Sequence, residues 1–177
     1  KAAFQMTHTI FDTPVLTTFM RGVAWLWMKL TGWRFVGEMP PDLGRCVLVC
    51  APHTSNWDLV YVVVFSVHLR FKPRWMGKDS LFKWPFGPLF EWLGGLPIDR
   101  SKANNMVDAC IKAFEKHKTL TLGITPEATR TKVAVWKSGF YHIAKGAGVP
   151  IIASYLDFKR KVAGFGATIF PSGNMDA

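Results

Sequence analysis

The run Cys46 to Ala51 constrains this chain most: six apolar residues without alternation, closed by the polar Pro52-His53-Thr54-Ser55-Asn56 and followed by a helical run from Trp57 to Leu69. A strand that is apolar on both sides must be covered on both faces, which happens where helices flank a largely parallel sheet. The pattern then repeats. Strands are predicted near Arg74 to Gly77, Leu96 to Ile98, Thr119 to Ile124, Pro150 to Leu156 and Val162 to Phe170. Helices are predicted over Ser101 to Lys118 and Trp136 to Ala147, with loops and short helices leading up to Trp92. This alternation gives an α/β class: a single domain with a central, mostly parallel or mixed sheet flanked by helices. With 177 residues, 49% of them hydrophobic, the chain can bury one sizeable core. It contains no internal repeat and no low-complexity linker.

Residues 14 to 31 predict an amphipathic helix whose apolar stripe is Leu16, Phe19, Met20, Val23, Leu26, Trp27 and Leu30, with Arg21, Trp25 and Lys29 on another face. The pattern fits a helix lying in a bilayer interface and also an ordinary helix packed on the domain; the Trp and basic residues tilt the reading toward lipid. The chain therefore divides into an N-terminal membrane-associating segment, residues 1–35, and an α/β domain, residues 36–177. Twenty-two Lys and Arg against 12 Asp and Glu give a net charge of +10, which favours anionic partners. No nucleic-acid recognition motif accompanies that charge, so nucleic acid is not expected as a partner. The longest uncharged run, Val162 to Met175, is too short and too rich in Gly, Pro and Ser for a spanning helix. Cys46, Cys50 and Cys110 have neither metal-type spacing nor an even number, which fits a reducing compartment. A start at Lys1 and a stop just after the turn-like Pro171-Ser172-Gly173-Asn174 point to a portion of a longer chain without a secretory cleavage pattern.

Chemistry concentrates at strand ends. His53 follows the buried-type strand, and Asp58 falls in the first turn of the next helix. A carboxylate within reach of Nδ1 would hold the imidazole in the tautomer whose Nε2 can take a proton. Ser55 and Asp58 would equally make a capping-box-like helix start. No Ser or Cys has the setting of an activated nucleophile, so His53 reads as a base acting directly on a substrate hydroxyl. His8, His68, His117 and His142 are scattered with no ligand-spaced Cys or carboxylate cluster, so no metal site is expected. Arg100, ahead of the 101–118 helix, would suit a phosphate or make a surface turn with Asp99. In Pro126-Glu127-Ala128-Thr129-Arg130, an Arg, a hydroxyl and the nearby Lys132 could coordinate a phosphate while Glu127 fixes the loop; a solvated polar loop is the alternative.

Taken in order, these segments resemble the glycerolipid acyltransferase superfamily, the family of 1-acylglycerol-3-phosphate acyltransferases. His53 to Asp58 matches its H-x-x-x-x-D block, and Leu96-Pro97-Ile98-Asp99-Arg100 its hydrophobic-I-D-R turn. Lys78-Asp79-Ser80-Leu81 and Pro85-Phe86-Gly87 precede that turn as in the family. Pro126-Glu127-Ala128-Thr129-Arg130-Thr131 matches P-E-G-T-R-S and is followed by Lys137-Ser138-Gly139, while Val149-Pro150-Ile151-Ile152 matches an apolar strand block. The resemblance runs from about Cys46 to Leu156. It implies an O-acyltransferase of phospholipid biosynthesis in which His53, oriented by Asp58, deprotonates a glycerol hydroxyl that attacks an acyl-CoA or acyl-carrier-protein thioester, with no acyl-enzyme, metal or cofactor. Lys78, Arg100, Thr129 and Arg130 would bind the phosphate of a glycerolipid acceptor, and Glu127 would support that site. The implied setting is the cytoplasmic face of the cell membrane, peripheral or monotopic, with an acyl groove expected along Phe82 to Trp92. Ala128 stands where the family has Gly; if that position needs a positive φ, the acceptor site differs or bears strain, and another lysolipid acceptor comes into play. A non-catalytic domain binding anionic lipid is the alternative from a different class.

Overall fold

The structure, a computed structural model, describes residues 7–53, 55, 57–98, 103–129 and 133–172, without the side chains of 43 and 103–105. Seven strands form one sheet: β1 (Arg34–Val36), β2 (Arg45–Cys50), β3 (Pro73–Lys78), β4 (Gly95–Ile98), β5 (Leu120–Ile124), β6 (Ile151–Asp157) and β7 (Val162–Ile169). Among the described residues five α-helices accompany them: α1 (Pro14–Thr31), α2 (Trp57–Leu69), α3 (Gly87–Trp92), α4 (Ala103–Lys116) and α5 (Gly139–Ala147). The strand order is β1-β7-β6-β2-β5-β3-β4. Only the β6–β7 pair is antiparallel, so β2 to β6 all run one way and their carboxyl ends share one edge of the sheet.

Strand β2 shows why an unbroken apolar run was needed. Side chains alternate across a strand, so Val47 and Val49 enter a core with Leu122, Phe114 and Ile143, beneath α4 and α5. Cys46 and Leu48 enter the opposite face with Ile152, where Phe71 and Phe165 pack. Beside that second core, Met28 of α1, Phe65 of α2, Trp33 and Ala163 close another cluster. Arg45, at the start of β2, donates from Nη1 to the carbonyls of Phe114 and His117 at 2.9 Å each and so satisfies the end of α4.

Helix α1 has the predicted boundaries, but its predicted stripe divides. Ala24 and Met28 are buried, and Leu16 and Met20 half-buried, whereas Val15 (84% exposed), Phe19 (68%), Val23, Leu26 and Leu30 (78%) face outward. The helix is apolar on two sides, and the residues buried against the domain, Ala24 and Met28, lie outside the predicted stripe. Gly32, at φ +77°, ends α1 with its N–H on the Met28 carbonyl and turns Trp33 inward. No helix among the described residues is long and apolar enough to cross a membrane.

Two elements depart from the sequence reading. Strand β1, parallel to β7 through Arg34 to Val36, is three residues long, too short to carry a periodicity. Helix α5 starts at Gly139 rather than Trp136, because the Lys137 N–H bonds the Pro126 carbonyl at 3.0 Å and keeps that segment as loop.

Candidate active site

His53 lies three residues beyond the end of β2, and Asp58 is the second residue of α2. Asp58 Oδ2 accepts from His53 Nδ1 at 2.7 Å. The same oxygen accepts from the Ser55 N–H at 3.1 Å, while the Ser55 hydroxyl accepts from the Trp57 N–H at 3.1 Å. The helix-start reading and the orienting reading of Asp58 therefore hold at once: one carboxylate ends the loop and fixes the imidazole. Asp58 is nearly buried, at 9% side-chain exposure, and His53 is 30% exposed. With Nδ1 committed to donating, Nε2 is the nitrogen that can accept a proton.

Glu127 lies three residues beyond the neighbouring strand β5. Its Oε2 accepts from the His53 backbone N–H at 2.8 Å, which ties the two strand-end loops together. Thr129 is half-buried in the same loop. Lys78 ends β3 on the same edge of the sheet, two strands from β2 and so about 10 Å across it, with its side chain exposed. Arg100 and Arg130 lie outside the described residues. The structure thus brings His53, Asp58 and Glu127 into direct contact, and sets Thr129 and Lys78 on the edge they share.

Ala128 has φ +53° and donates its N–H to the Thr125 carbonyl at 3.2 Å. The left-handed conformation that the sequence made conditional is present, on a residue with a Cβ. Ala128→Gly should relieve that strain, offset partly by the freer unfolded chain, for a net stabilisation of about 0.5–1 kcal/mol. Urea denaturation with an unchanged slope would register it as a higher midpoint.

A narrow, mainly apolar slot opens beside the His53–Asp58 pair, walled by Phe35, Phe65, Phe71, Leu156 and Phe165. The predicted wall, Phe82 to Trp92, is not part of it: Phe82 and Phe90 pack on Trp75, with ring centroids 5.8 and 6.1 Å away. The slot residues come from β1, α2, β6, β7 and the turn before β3, of which the sequence read α2, β6 and β7 only as ordinary helix or strand. No spacing signal joins them. Cys50 also lines the slot. Burial pushes its thiol up, against a hydrogen bond from Ser154 and helped by the Asp58 charge, so it stays neutral and is a poor nucleophile.

The Acyltransferase family model matches residues 33–157. The 1-acyl-sn-glycerol-3-phosphate acyltransferase of Salmonella typhimurium is 34% identical over 119 residues, which cover 63% of this chain and 46% of that protein. The protein of the same name from Haemophilus influenzae is 31% identical over 135 residues, 70% of this chain and 53% of its own length. The chain spans about half the length of these curated relatives. Among solved structures, the Thermotoga maritima 1-acyl-sn-glycerophosphate acyltransferase PlsC superposes with a TM-score of 0.59 over 90% of this chain and 71% of that one, at 16% identity. That likeness concerns the fold.

Proposed function

The chain belongs to the Acyltransferase family, and from that premise we propose that it transfers a fatty acyl group from acyl-CoA or acyl-carrier protein to a hydroxyl of a phosphate-bearing glycerolipid, in phospholipid biosynthesis. The observation that carries this reading is the 2.7 Å contact from His53 Nδ1 to Asp58, which leaves Nε2 as the acceptor at the mouth of an apolar slot. His53 Nε2 takes the proton of the acceptor hydroxyl as its oxygen attacks the thioester carbonyl. The tetrahedral adduct then expels the thiolate, which leaves as thiol with the proton returned by the imidazolium. Asp58 stabilises that imidazolium. The slot takes the acyl chain, whose methylenes gain by leaving water. Lys78, Thr129, Arg100 and Arg130 are the residues assigned to the acceptor phosphate. 1-Acyl-sn-glycerol-3-phosphate, the substrate in the relatives' names, is the first acceptor to try.

The outward ridge of α1, with Val15, Phe19 and Leu30 mostly exposed, supports a peripheral position on a membrane; its cytoplasmic face is part of the same proposal. Such a position gives the enzyme its lipid acceptor in two dimensions. The reading is tested by thiol release from palmitoyl-CoA with lysophosphatidate, glycerol 3-phosphate or a phosphate-free lysolipid as acceptor. Release that depends on a phosphate-bearing acceptor is the expected result; no acceptor-dependent release from either CoA or carrier-protein donors would overturn it.

Glu127 acts here through the main chain of His53. Glu127→Ala leaves that half-buried N–H without its acceptor, and turnover should fall about tenfold as the histidine loop loosens. Glu127→Gln keeps a carbonyl oxygen at the same place and should stay within about threefold of wild type. Steady-state rates of the two variants, measured side by side, decide it.

A further inference from the structure

We propose that a pocket between the first turns of α1 and the end of α2, separate from the catalytic pair, binds a phosphate group. It encloses about 360 Å³ and is lined by Phe11, Thr17, Arg21, Arg70, Phe71 and Lys72, among others. Three cations there meet one carboxylate, Asp12, which holds Lys72 Nζ at 2.8 Å. Burial would push the Asp12 carboxyl up, but hydrogen bonds from Lys72 and Thr9 outweigh it and keep the group ionised. His68 adds no charge, since burial and the neighbouring Arg21 both push its pKa down. Two positive charges remain uncompensated, because neither Arg21 nor Arg70 makes an ion pair among the described residues. Arg21 Nε is buried and has no hydrogen-bond partner. A buried guanidinium nitrogen left without an acceptor is costly, and a phosphate oxygen would supply one. The positive end of α1, whose cap Thr13 makes no side-chain bond, adds to the same field.

The pocket shares Phe71 with the slot, but its Arg70 lies about 18 Å along α2 from Asp58, at the opposite end of that helix from the residues assigned to the acceptor phosphate. From Arg21 the line continues along α1 through Trp25 to Lys29, whose Nζ lies 4.9 Å over the Trp25 ring. This flank borders the outward apolar ridge, which makes the headgroup of an anionic phospholipid one source of the phosphate; free phosphate is the other.

Two arms separate the sources, and neither depends on turnover. In the first, the whole chain is bound to phosphatidylcholine vesicles with and without phosphatidylglycerol. Arg21→Gln with Arg70→Gln should weaken binding to the anionic vesicles by about tenfold, while Lys112→Gln with Lys118→Gln, an equal charge loss elsewhere, should cost less than about threefold. In the second arm, inorganic phosphate is titrated into the wild-type chain while the Arg21 Nε–H resonance is followed by NMR. A saturable shift, with vesicle binding indifferent to the Arg21 and Arg70 changes, assigns the site to free phosphate. Equal losses in the two double variants, or none, together with an unmoved Arg21 resonance, overturn the proposal.

Discussion

His53→Ala should cut acyl transfer by about 10²- to 10⁴-fold and leave the fold in place. Two features of the site separate these effects. The imidazole is 30% exposed, so its removal opens no sealed cavity. The tie to Glu127 runs from the His53 backbone N–H, which alanine keeps, so the two strand-end loops stay joined at 2.8 Å. What disappears is the imidazole Nε2 that the proposed reaction uses as its base, while the thiol that also lines the slot, Cys50, is held neutral by burial. Acceptor-dependent thiol release, measured beside a thermal melt, distinguishes the outcomes. An unchanged melt with turnover down by two decades or more supports a base; an unchanged melt with near-normal turnover removes His53 from the chemistry.

Much of the scaffold was legible because the information was local. The uninterrupted apolar character of Cys46 to Ala51 required cover on both faces, and the structure supplies it: Val47 and Val49 lie under α4 and α5, Cys46 and Leu48 under the opposite face. The bounds of α1 followed from its periodicity, and those of α2 from the polar stretch that precedes an apolar run nearly free of it. What escaped was set by partners distant in sequence. Strand β1 exists because β7 offers it a parallel edge, and three residues show no pattern on their own. The wall of the slot draws Phe35, Phe71 and Phe165 from three separate segments, whereas the conspicuous aromatic cluster at Phe82 and Phe90 is spent on covering Trp75. The outward ridge of α1 shows the limit of a hydrophobic pattern: it locates an apolar face without saying whether protein or lipid covers it. At the site, the H-x-x-x-x-D spacing marked both partners, because four intervening residues, the last of them already in α2, leave the imidazole within reach of a carboxylate in the first turn of that helix. The role of Glu127 in holding the His53 main chain was not specified by its side-chain type.

Asp58→Asn is expected to lower turnover by about 10²- to 10⁴-fold with little loss of stability, and its value lies in how it fails. Asp58 Oδ2 accepts two hydrogen bonds, from His53 Nδ1 and from the Ser55 N–H. An asparagine can meet them in one of two orientations. With its carbonyl oxygen in the shared position both bonds survive and so does the tautomer, but the charge 2.7 Å from the ring is gone, and the imidazolium formed as the hydroxyl loses its proton is no longer stabilised. With the amide turned round, its NH₂ opposes the Ser55 N–H and makes Nδ1 an acceptor, which places the ring proton on Nε2, where it blocks the base outright. Either orientation suppresses the chemical step without touching the acyl slot or the acceptor's phosphate contacts. The fall should therefore appear in kcat, with KM for the acceptor nearly unchanged. Asp58→Ala differs, since it also removes the acceptor of the Ser55 N–H at the start of α2 and should lose about 1 kcal/mol of stability besides. A rate loss in Asp58→Asn that tracked a lowered melting temperature, or that appeared mainly in KM, would reduce Asp58 to a helix-start residue and leave His53 without its orienting carboxylate.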